Sequence, residues 1–172
     1  MIRALALAPL LLLSACGLQP LYSGGNAGPV AATLAGVSVA PIEGKAGWLM
    51  QAALADRIQA AGSPRYSLKV ELDDKITGFG VRRDDAVTRE RRTLRARYQL
   101  VETATGQTVL DATAGSDAGI DVVSSDYATI AAENTALERL TGVVADQIVS
   151  RVALFAKRTA EAPADTTAQG AK

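Results

Sequence analysis

The stretch YSLKVEL, residues 66–72, alternates without a break between apolar and polar side chains. A two-residue period of this kind predicts a β-strand with one buried face and one solvated face. Residues 93–102, TLRARYQLVE, repeat the pattern, and residues 108–114 continue it after the turn sequence ATGQ at 104–107. We therefore expect antiparallel strands, the last two of them forming a hairpin.

Helical periodicity lies on both sides of these strands. Residues 48–61 place apolar side chains three and four positions apart, and residues 124–157 do so over a longer span, which predicts two amphipathic helices. Residues 37–42 alternate and predict a first strand. The element order is then β-α-β-β-β-α. It predicts an α+β fold, in which a mainly antiparallel sheet of about four strands carries two helices on one face.

The composition limits the functions open to this chain. Its 172 residues and 48% hydrophobic content suit one domain with one core. Histidine is absent and Cys16 is the only cysteine, which removes the commonest general base, an intramolecular disulfide and a thiolate metal cluster. A net charge of zero argues against general nucleic-acid binding. We expect no catalytic residues, no metal site, no dissociable cofactor and no enzyme activity.

The N-terminus has the features of a bacterial export signal. Arg3 precedes an apolar run that ends in Leu13-Ser14-Ala15-Cys16, and this run is too short to span a bilayer. The last four residues fit a lipobox, so we expect residues 1–15 to be cleaved and Cys16 to carry a covalent diacylglycerol and an N-acyl chain. Multiple acyl chains give stable membrane anchoring. The alternative is an ordinary signal peptide with a chance cysteine.

The mature chain divides into three parts by composition. Residues 16–33 are rich in Gly, Pro and Ser and predict a lipidated N-terminus and tether. Residues 34–158 hold all the periodic stretches and predict a single α/β domain. Residues 159–172 are small and polar, contain a proline, and predict a disordered tail.

Arginine is concentrated in residues 82–97. This segment has seven arginines against three carboxylates and contains no lysine. Guanidinium groups bind phosphate and carboxylate in a bidentate way that lysine cannot match. One interpretation is an anion site for phosphorylated sugars or an acidic partner. The other is a solvated sheet face whose arginines pair with nearby acids. The arginines concerned are Arg82, Arg83, Arg89, Arg91, Arg92, Arg95 and Arg97.

Three segments together resemble one known family. Cys16 to Tyr22 reads CGLQPLY, residues 95–100 read RARYQL, and the last helix contains AENTA at 132–136 and ADQI at 145–148. This combination is similar to the lipopolysaccharide-assembly lipoprotein LptE family in its alphaproteobacterial form. The resemblance extends over nearly the whole mature domain.

The resemblance implies the same β-α-β-β-β-α fold and a non-enzymatic role. Proteins of this family sit as a plug inside the outer-membrane β-barrel LptD, help it assemble, and assist insertion of lipopolysaccharide into the outer leaflet. It therefore implies a lipid-anchored protein at the periplasmic face of the outer membrane, with LptD and lipopolysaccharide as partners. By this resemblance, the candidate lipopolysaccharide-binding residues are Arg89, Arg91, Arg92, Arg95 and Arg97.

Two other classes of function stay open at this stage. The same anchor and fold would suit a periplasmic lipoprotein adaptor of another cell-envelope complex. An envelope hydrolase would need a catalytic constellation, and the sequence offers none that we recognise.

Overall fold

Four strands form a single sheet in the order β1-β2-β3-β4. The computed structural model describes residues 28–81 and 87–161, so the expected signal peptide, Cys16 and most of the expected tether and tail lie outside the described residues. The elements are α1 Pro29–Ala35, β1 Val37–Val39, α2 Gly44–Arg57, β2 Tyr66–Val81, β3 Val87–Glu102, β4 Thr108–Asp121 and α3 Asp126–Glu161.

The sheet is mixed, with one parallel pair and two antiparallel pairs. β1 lies parallel to β2, with Val37 opposite Tyr66, because the α2 crossover between them returns the chain to the same end of the sheet. β2 and β3 are antiparallel, as are β3 and β4. The predicted α+β fold, the four strands and their order along the chain are confirmed.

The helices cover one face of the sheet. Alternate residues of β2 and β3 are buried on that face, including Leu68 and Tyr98, and they join one hydrophobic cluster with residues from all three helices. α3 has 36 residues, which gives a length of about 54 Å. It packs on β3 and β4, and α2 lies beside it. An ion pair between Arg57 of α2 and Asp146 of α3 at 2.6 Å joins the two helices. The other face of the sheet carries no described helix.

A third helix, α1, lies partly inside the segment that the sequence assigned to the tether. It has seven residues with proline near its start, and Val30 and Leu34 enter the core four positions apart. Two turns are too short for a periodic pattern to stand out from a Gly- and Pro-rich background. α3 continues to Glu161, three residues into the predicted tail.

No described helix is long and apolar enough to cross a membrane.

Candidate functional site: the open face of the sheet

Four arginines lie in a row along the uncovered face of the sheet. The helix-facing residues Leu94, Ala96 and Tyr98 are buried, so the alternate residues of β3 project to the opposite side. We call this side the open face. We call its four β3 arginines the arginine row: Arg89, Arg91, Arg95 and Arg97.

Carboxylates from the neighbouring strand β4 pair with three members of the arginine row. Arg89 Nε lies 3.1 Å from Asp121 Oδ1, and Arg91 Nε lies 4.0 Å from Asp117 Oδ2. Arg97 pairs with a third aspartate of β4. These pairs are solvent-exposed, and such pairs contribute little to stability. Their main effect is to neutralise the charge of the arginines.

Asp111 is the most closely held of these carboxylates. Arg97 Nη2 donates to Asp111 Oδ2 at 3.0 Å, and Gln99 Nε2 donates to the same oxygen at 2.8 Å. The hydrogen bond from Arg97, followed by that from Gln99, lowers the pKa of Asp111. The same contact raises the pKa of Arg97. Both groups therefore remain charged over the physiological pH range.

The open face as a whole is nearly neutral. On β2, the alternation places two lysines and two carboxylates beside the arginine row, and β4 adds three aspartates. Among the described residues of β2, β3 and β4, six cations thus face five carboxylates. The excess of arginine in the sequence is real, but the fold surrounds it with acids from strands that are distant along the chain. The charged residues are Lys69, Glu71, Asp73, Lys75, Arg89, Arg91, Arg95, Arg97, Asp111, Asp117 and Asp121.

Arg95 differs from the rest of the arginine row. Among the described residues, no carboxylate lies within 4 Å of its guanidinium group. The residue opposite it on β4 is Gly115, and a Cβ atom there would come within 2.6 Å of Arg95 Cδ. The missing side chain leaves room for Arg95 to lie across β4.

A shallow depression of about 520 Å³ surrounds Arg95. Its charged lining includes Glu71, Asp73 and Arg97, and Gln147 of α3 closes it at the edge of β4. Gln147 accepts a hydrogen bond from the Gly115 N–H at 3.1 Å and donates one to the Gly115 carbonyl at 3.4 Å. The site therefore offers one unpaired guanidinium, with a second close by, in a recess that α3 holds in place.

Arg92 points to the other side of the sheet. It donates two hydrogen bonds to the Asp74 carboxylate, at 2.8 and 2.5 Å, and a third to the Glu133 carbonyl of α3 at 2.8 Å. Its side chain is only 11% exposed. The hydrogen bond to Asp74 raises the pKa of Arg92. The structure therefore brings four of the five candidate arginines together and uses the fifth to join the sheet to α3.

Glu90 lies next to Arg92 on the helix face. Burial of the Glu90 carboxyl, with the charge of nearby Glu133 as the second cause, raises the pKa of Glu90. Among the described residues, Glu90 Oε2 is buried without a hydrogen-bond partner. The contact between the sheet and α3 is therefore polar at this point, and one of its buried oxygen atoms lacks a hydrogen bond among the described residues.

Exposed apolar side chains gather at one end of the molecule, a feature that the sequence analysis did not identify. We call the end where β2 leads into β3 the distal end. The guanidinium of Arg91 lies 5.5 Å from the centre of the Phe79 ring there. These exposed apolar side chains are Ile76, Phe79, Val123, Tyr127 and Ile130. Ile76 continues the helix-facing alternation of β2, whereas Phe79 lies on the open face. Arg82 and Arg83 lie outside the described residues.

The fold of this chain is similar to that of several bacterial lipoproteins with solved structures. A lipoprotein from Caulobacter crescentus CB15 aligns with a TM-score of 0.65 at 22% identity over 77% of this chain and 98% of that chain. Rare lipoprotein B from Shewanella oneidensis aligns with a TM-score of 0.57 at 9% identity over 72% and 96%. Lipoprotein B from Nitrosomonas europaea aligns with a TM-score of 0.55 at 11% identity over 70% and 82%. These likenesses establish the fold.

The family is established by sequence. The model of the lipopolysaccharide-assembly family LptE matches residues 34–152, which is most of the described domain. The chain belongs to the lipopolysaccharide-assembly family LptE, and the predicted family is confirmed. A search of curated protein sequences finds no match to this chain.

Proposed function

We propose that this protein is an outer-membrane lipoprotein that plugs an LptD-like β-barrel, helps that barrel assemble and assists insertion of lipopolysaccharide into the outer leaflet. The observation that carries the proposal is the LptE family match over residues 34–152. In this proposal the chain is held at the periplasmic face by lipids on Cys16, and it performs no catalysis.

The arginine row is the proposed contact for lipopolysaccharide. Phosphate and carboxylate groups are the anions that guanidinium binds in a bidentate way. Among the described residues, no carboxylate lies within 4 Å of the Arg95 guanidinium, although Glu71 and Asp73 line the same depression. Arg91 lies against Phe79, so an amphiphile could place an anionic group and an apolar chain on adjacent side chains. Binding at Arg89, Arg91 or Arg97 would require the ligand to displace an aspartate.

The proposal for barrel insertion rests on family membership and on the distal end. Tyr127 is 84% exposed and Ile130 is 55% exposed, and isolated soluble domains rarely group large apolar side chains in this way. Contact with another protein would remove them from water. α3 has 36 residues and a length of about 54 Å, enough to extend through the lumen of a large barrel.

A pull-down from outer-membrane extracts tests the barrel partner. The full chain carrying a C-terminal tag should recover a large β-barrel protein. A Tyr127→Lys, Ile130→Lys variant should recover less of it, and a control variant with Lys at exposed Val143 should recover a normal amount. Recovery of no barrel by the wild-type chain would refute this part of the proposal.

A binding measurement tests the arginine row. Replacing Arg91 and Arg95 by Ala should weaken binding of purified lipopolysaccharide and leave the circular dichroism spectrum unchanged. Arg139→Ala with Arg158→Ala, at two exposed positions on α3, is the matched control for the loss of two arginines elsewhere. Equal binding by the double variant and the wild type would remove these residues from the site.

The near-neutral open face favours one alternative, an adaptor of another cell-envelope complex. A surface of interleaved charges suits a protein partner of similar pattern better than a polyanion. Depletion of the protein from cells distinguishes the two proposed functions. Loss of surface lipopolysaccharide supports the first, whereas an envelope defect with normal surface lipopolysaccharide supports the adaptor.

A further inference from the structure

A second depression, of about 420 Å³, lies on the helix side of the sheet between α3 and the edge strand β4. α3 supplies Gln147, Ser150 and Arg151 to its wall, and the sheet supplies Tyr98 and Thr113. Each of these five side chains carries a hydrogen-bond donor. The depression is therefore lined with donors, and the arginine row does not reach this side of the sheet.

Arg151 supplies the positive charge of this depression. Among the described residues, no carboxylate lies within 4 Å of its guanidinium group. Residues three and four positions away are the neighbours of a side chain on a helix surface, and none of them is acidic here. They are Gln147, Ile148, Leu154 and Phe155. The charge of Arg151 thus lacks the neutralising partner that three members of the arginine row have.

Tyr98 of β3 adds a donor beside this charge. Its side chain is 1% exposed, and it lines the depression next to Arg151. Burial raises the pKa of Tyr98, and the charge and hydrogen bond of Arg151 act in the opposite direction. The hydroxyl therefore stays protonated at neutral pH. A guanidinium that donates to the Tyr98 oxygen leaves the hydroxyl proton available for a ligand.

One carboxylate, that of Asp146, also lines the depression. Its Oδ1 accepts a hydrogen bond from Arg57 Nε at 2.6 Å, and this bond lowers the pKa of Asp146. The charge of Asp146 is thus balanced by Arg57, and Arg151 remains as the uncompensated charge. A group of single negative charge would balance it.

The two depressions meet at the edge of β4. Thr113, Ala114 and Gln147 line both of them, and the two hydrogen bonds between Gln147 and Gly115 hold α3 against the strand at this point. Arg95 lies on the open face, whereas Arg151 lies on the helix side. A molecule placed across this edge would therefore meet one guanidinium on each side.

We propose that a phosphate or carboxylate group of lipopolysaccharide binds in the depression between α3 and β4, paired with Arg151. A second anionic group of the same molecule binds Arg95, so the ligand lies across the edge of β4. This proposal rests on the lipopolysaccharide function proposed above. A ligand with two anionic groups should bind more tightly than one with a single group, because the second contact is made within the same complex.

A titration followed by NMR tests the site with a soluble probe. The full lipidated chain in detergent is titrated with deacylated lipopolysaccharide, a glycan that keeps its phosphates. The amide signals of Ser150, Arg151 and Gly115 should shift with one common midpoint, at one glycan per chain. Inorganic phosphate, which has a single anionic group, should bind much more weakly.

Variants of α3 separate charge from shape. Arg151→Ala should weaken binding of the glycan about tenfold, the loss expected for one charged hydrogen-bonding partner. Arg151→Lys should recover only part of it, because lysine cannot bind an anion in a bidentate way. Ser150→Leu keeps every charge but fills the depression, and it should also weaken binding. Arg139→Ala, at an exposed position on the same helix, is the matched control and should bind as the wild type does.

Removal of the phosphates from the glycan identifies the bound group. If Arg151→Ala and the wild type then bind equally, the group at Arg151 is a phosphate. If the difference between them persists, the group is a carboxylate. Either result supports the site.

Other results would overturn the proposal. Normal binding by both Arg151→Ala and Ser150→Leu, with weak binding by Arg95→Ala, would remove this depression and leave the contact at the arginine row intact. Two glycans per chain with separate midpoints would show that no single molecule lies across the edge. A wild-type chain that binds neither lipopolysaccharide nor the glycan would overturn the proposed lipopolysaccharide contact itself.

Discussion

Arg92 of β3 and Asp74 of β2 form a two-pronged ion pair beneath α3, with Nε to Oδ1 at 2.8 Å and Nη2 to Oδ2 at 2.5 Å. The same guanidinium holds the Glu133 carbonyl of α3. One side chain thereby fixes two strands and the first third of the long helix. This contact lies behind the sheet from the arginine row, so its loss should affect stability rather than binding.

We expect Arg92→Ala to lower the free energy of unfolding by about 1–3 kcal/mol, because Asp74 is left partly buried without its partner. Urea denaturation followed by circular dichroism measures the change. Arg89→Ala removes an exposed pair with Asp121 and should cost less than about 1 kcal/mol. A larger loss for Arg89→Ala than for Arg92→Ala would contradict this assignment.

Gly115→Ala should weaken lipopolysaccharide binding while the domain stays folded. The added Cβ would come within 2.6 Å of Arg95 Cδ and 2.8 Å of Arg95 Nη1, so the guanidinium must leave its position across β4. Gly119→Ala is the control, because a Cβ there meets no atom within 4 Å. The binding of both variants is compared with that of the wild type. Unchanged binding by Gly115→Ala would separate the depression from the ligand site.

Gln147→Ala should open the edge of β4. The Gly115 N–H loses its acceptor and its carbonyl loses a donor, so the Gly115 amide should exchange with solvent faster than in the wild type. Amide hydrogen exchange followed by NMR measures this for the single residue. The Ala118 amide, on the side of β4 that pairs with β3, serves as the internal reference, and equal acceleration at both amides would indicate a global loss of stability instead.

Leu34→Ala should show that α1 belongs to the folded domain. Leu34 is 7% exposed and lies in the core cluster, and removing a large core side chain costs about 2–5 kcal/mol. Ile130→Ala, at an exposed aliphatic position, should cost far less. If thermal denaturation gave the two variants equal midpoints, α1 would not contribute to the core.

Glu90→Gln should stabilise the domain near neutral pH. Burial raises the pKa of Glu90, so the folded state binds this proton more tightly than the unfolded state. The stabilisation that the protonated Glu90 carboxyl contributes is fully present below the pKa of this group in the unfolded chain, about 4.3. It is lost as the pH rises through the higher pKa of the same group in the folded state. The advantage of the variant should therefore shrink as the pH falls towards about 4. Denaturation curves over this range test it, with Glu138→Gln as an exposed control.

Local periodicity was sufficient to predict the main elements. The alternation at residues 66–72 and 93–102 lies within β2 and β3, and the helical spacing after residue 124 marks α3. These signals arise because one face of each element is buried and the other is solvated. α1 was missed because its burial depends on two side chains, Val30 and Leu34, placed by packing against distant parts of the chain.

The candidate site could be predicted only in part, and the reason is register. The two-residue period of residues 93–102, extended back along β3, is enough to put Arg91, Arg95 and Arg97 on one face, and they lie there in the structure. It could not reveal that Asp111 lies beside Arg97, because that contact depends on how β4 pairs with β3. The same limit applies to Arg92. The alternation of β3 puts Arg92 on the same face as Leu94, the helix side, but it does not reveal that Arg92 pairs with Asp74, which is eighteen positions earlier in the sequence.

The alternation of sign across the open face has a consequence for how an anionic molecule reaches it. Positive and negative charges a few ångströms apart cancel within a short distance from the surface, so the face creates little long-range attraction. Long-range electrostatic attraction therefore does not speed the binding of an anionic molecule from bulk solution, and the association rate should depend only weakly on ionic strength. A ligand that pairs with these guanidinium groups must be delivered at close range, either by transfer from a neighbouring protein or by diffusion in the plane of the bilayer.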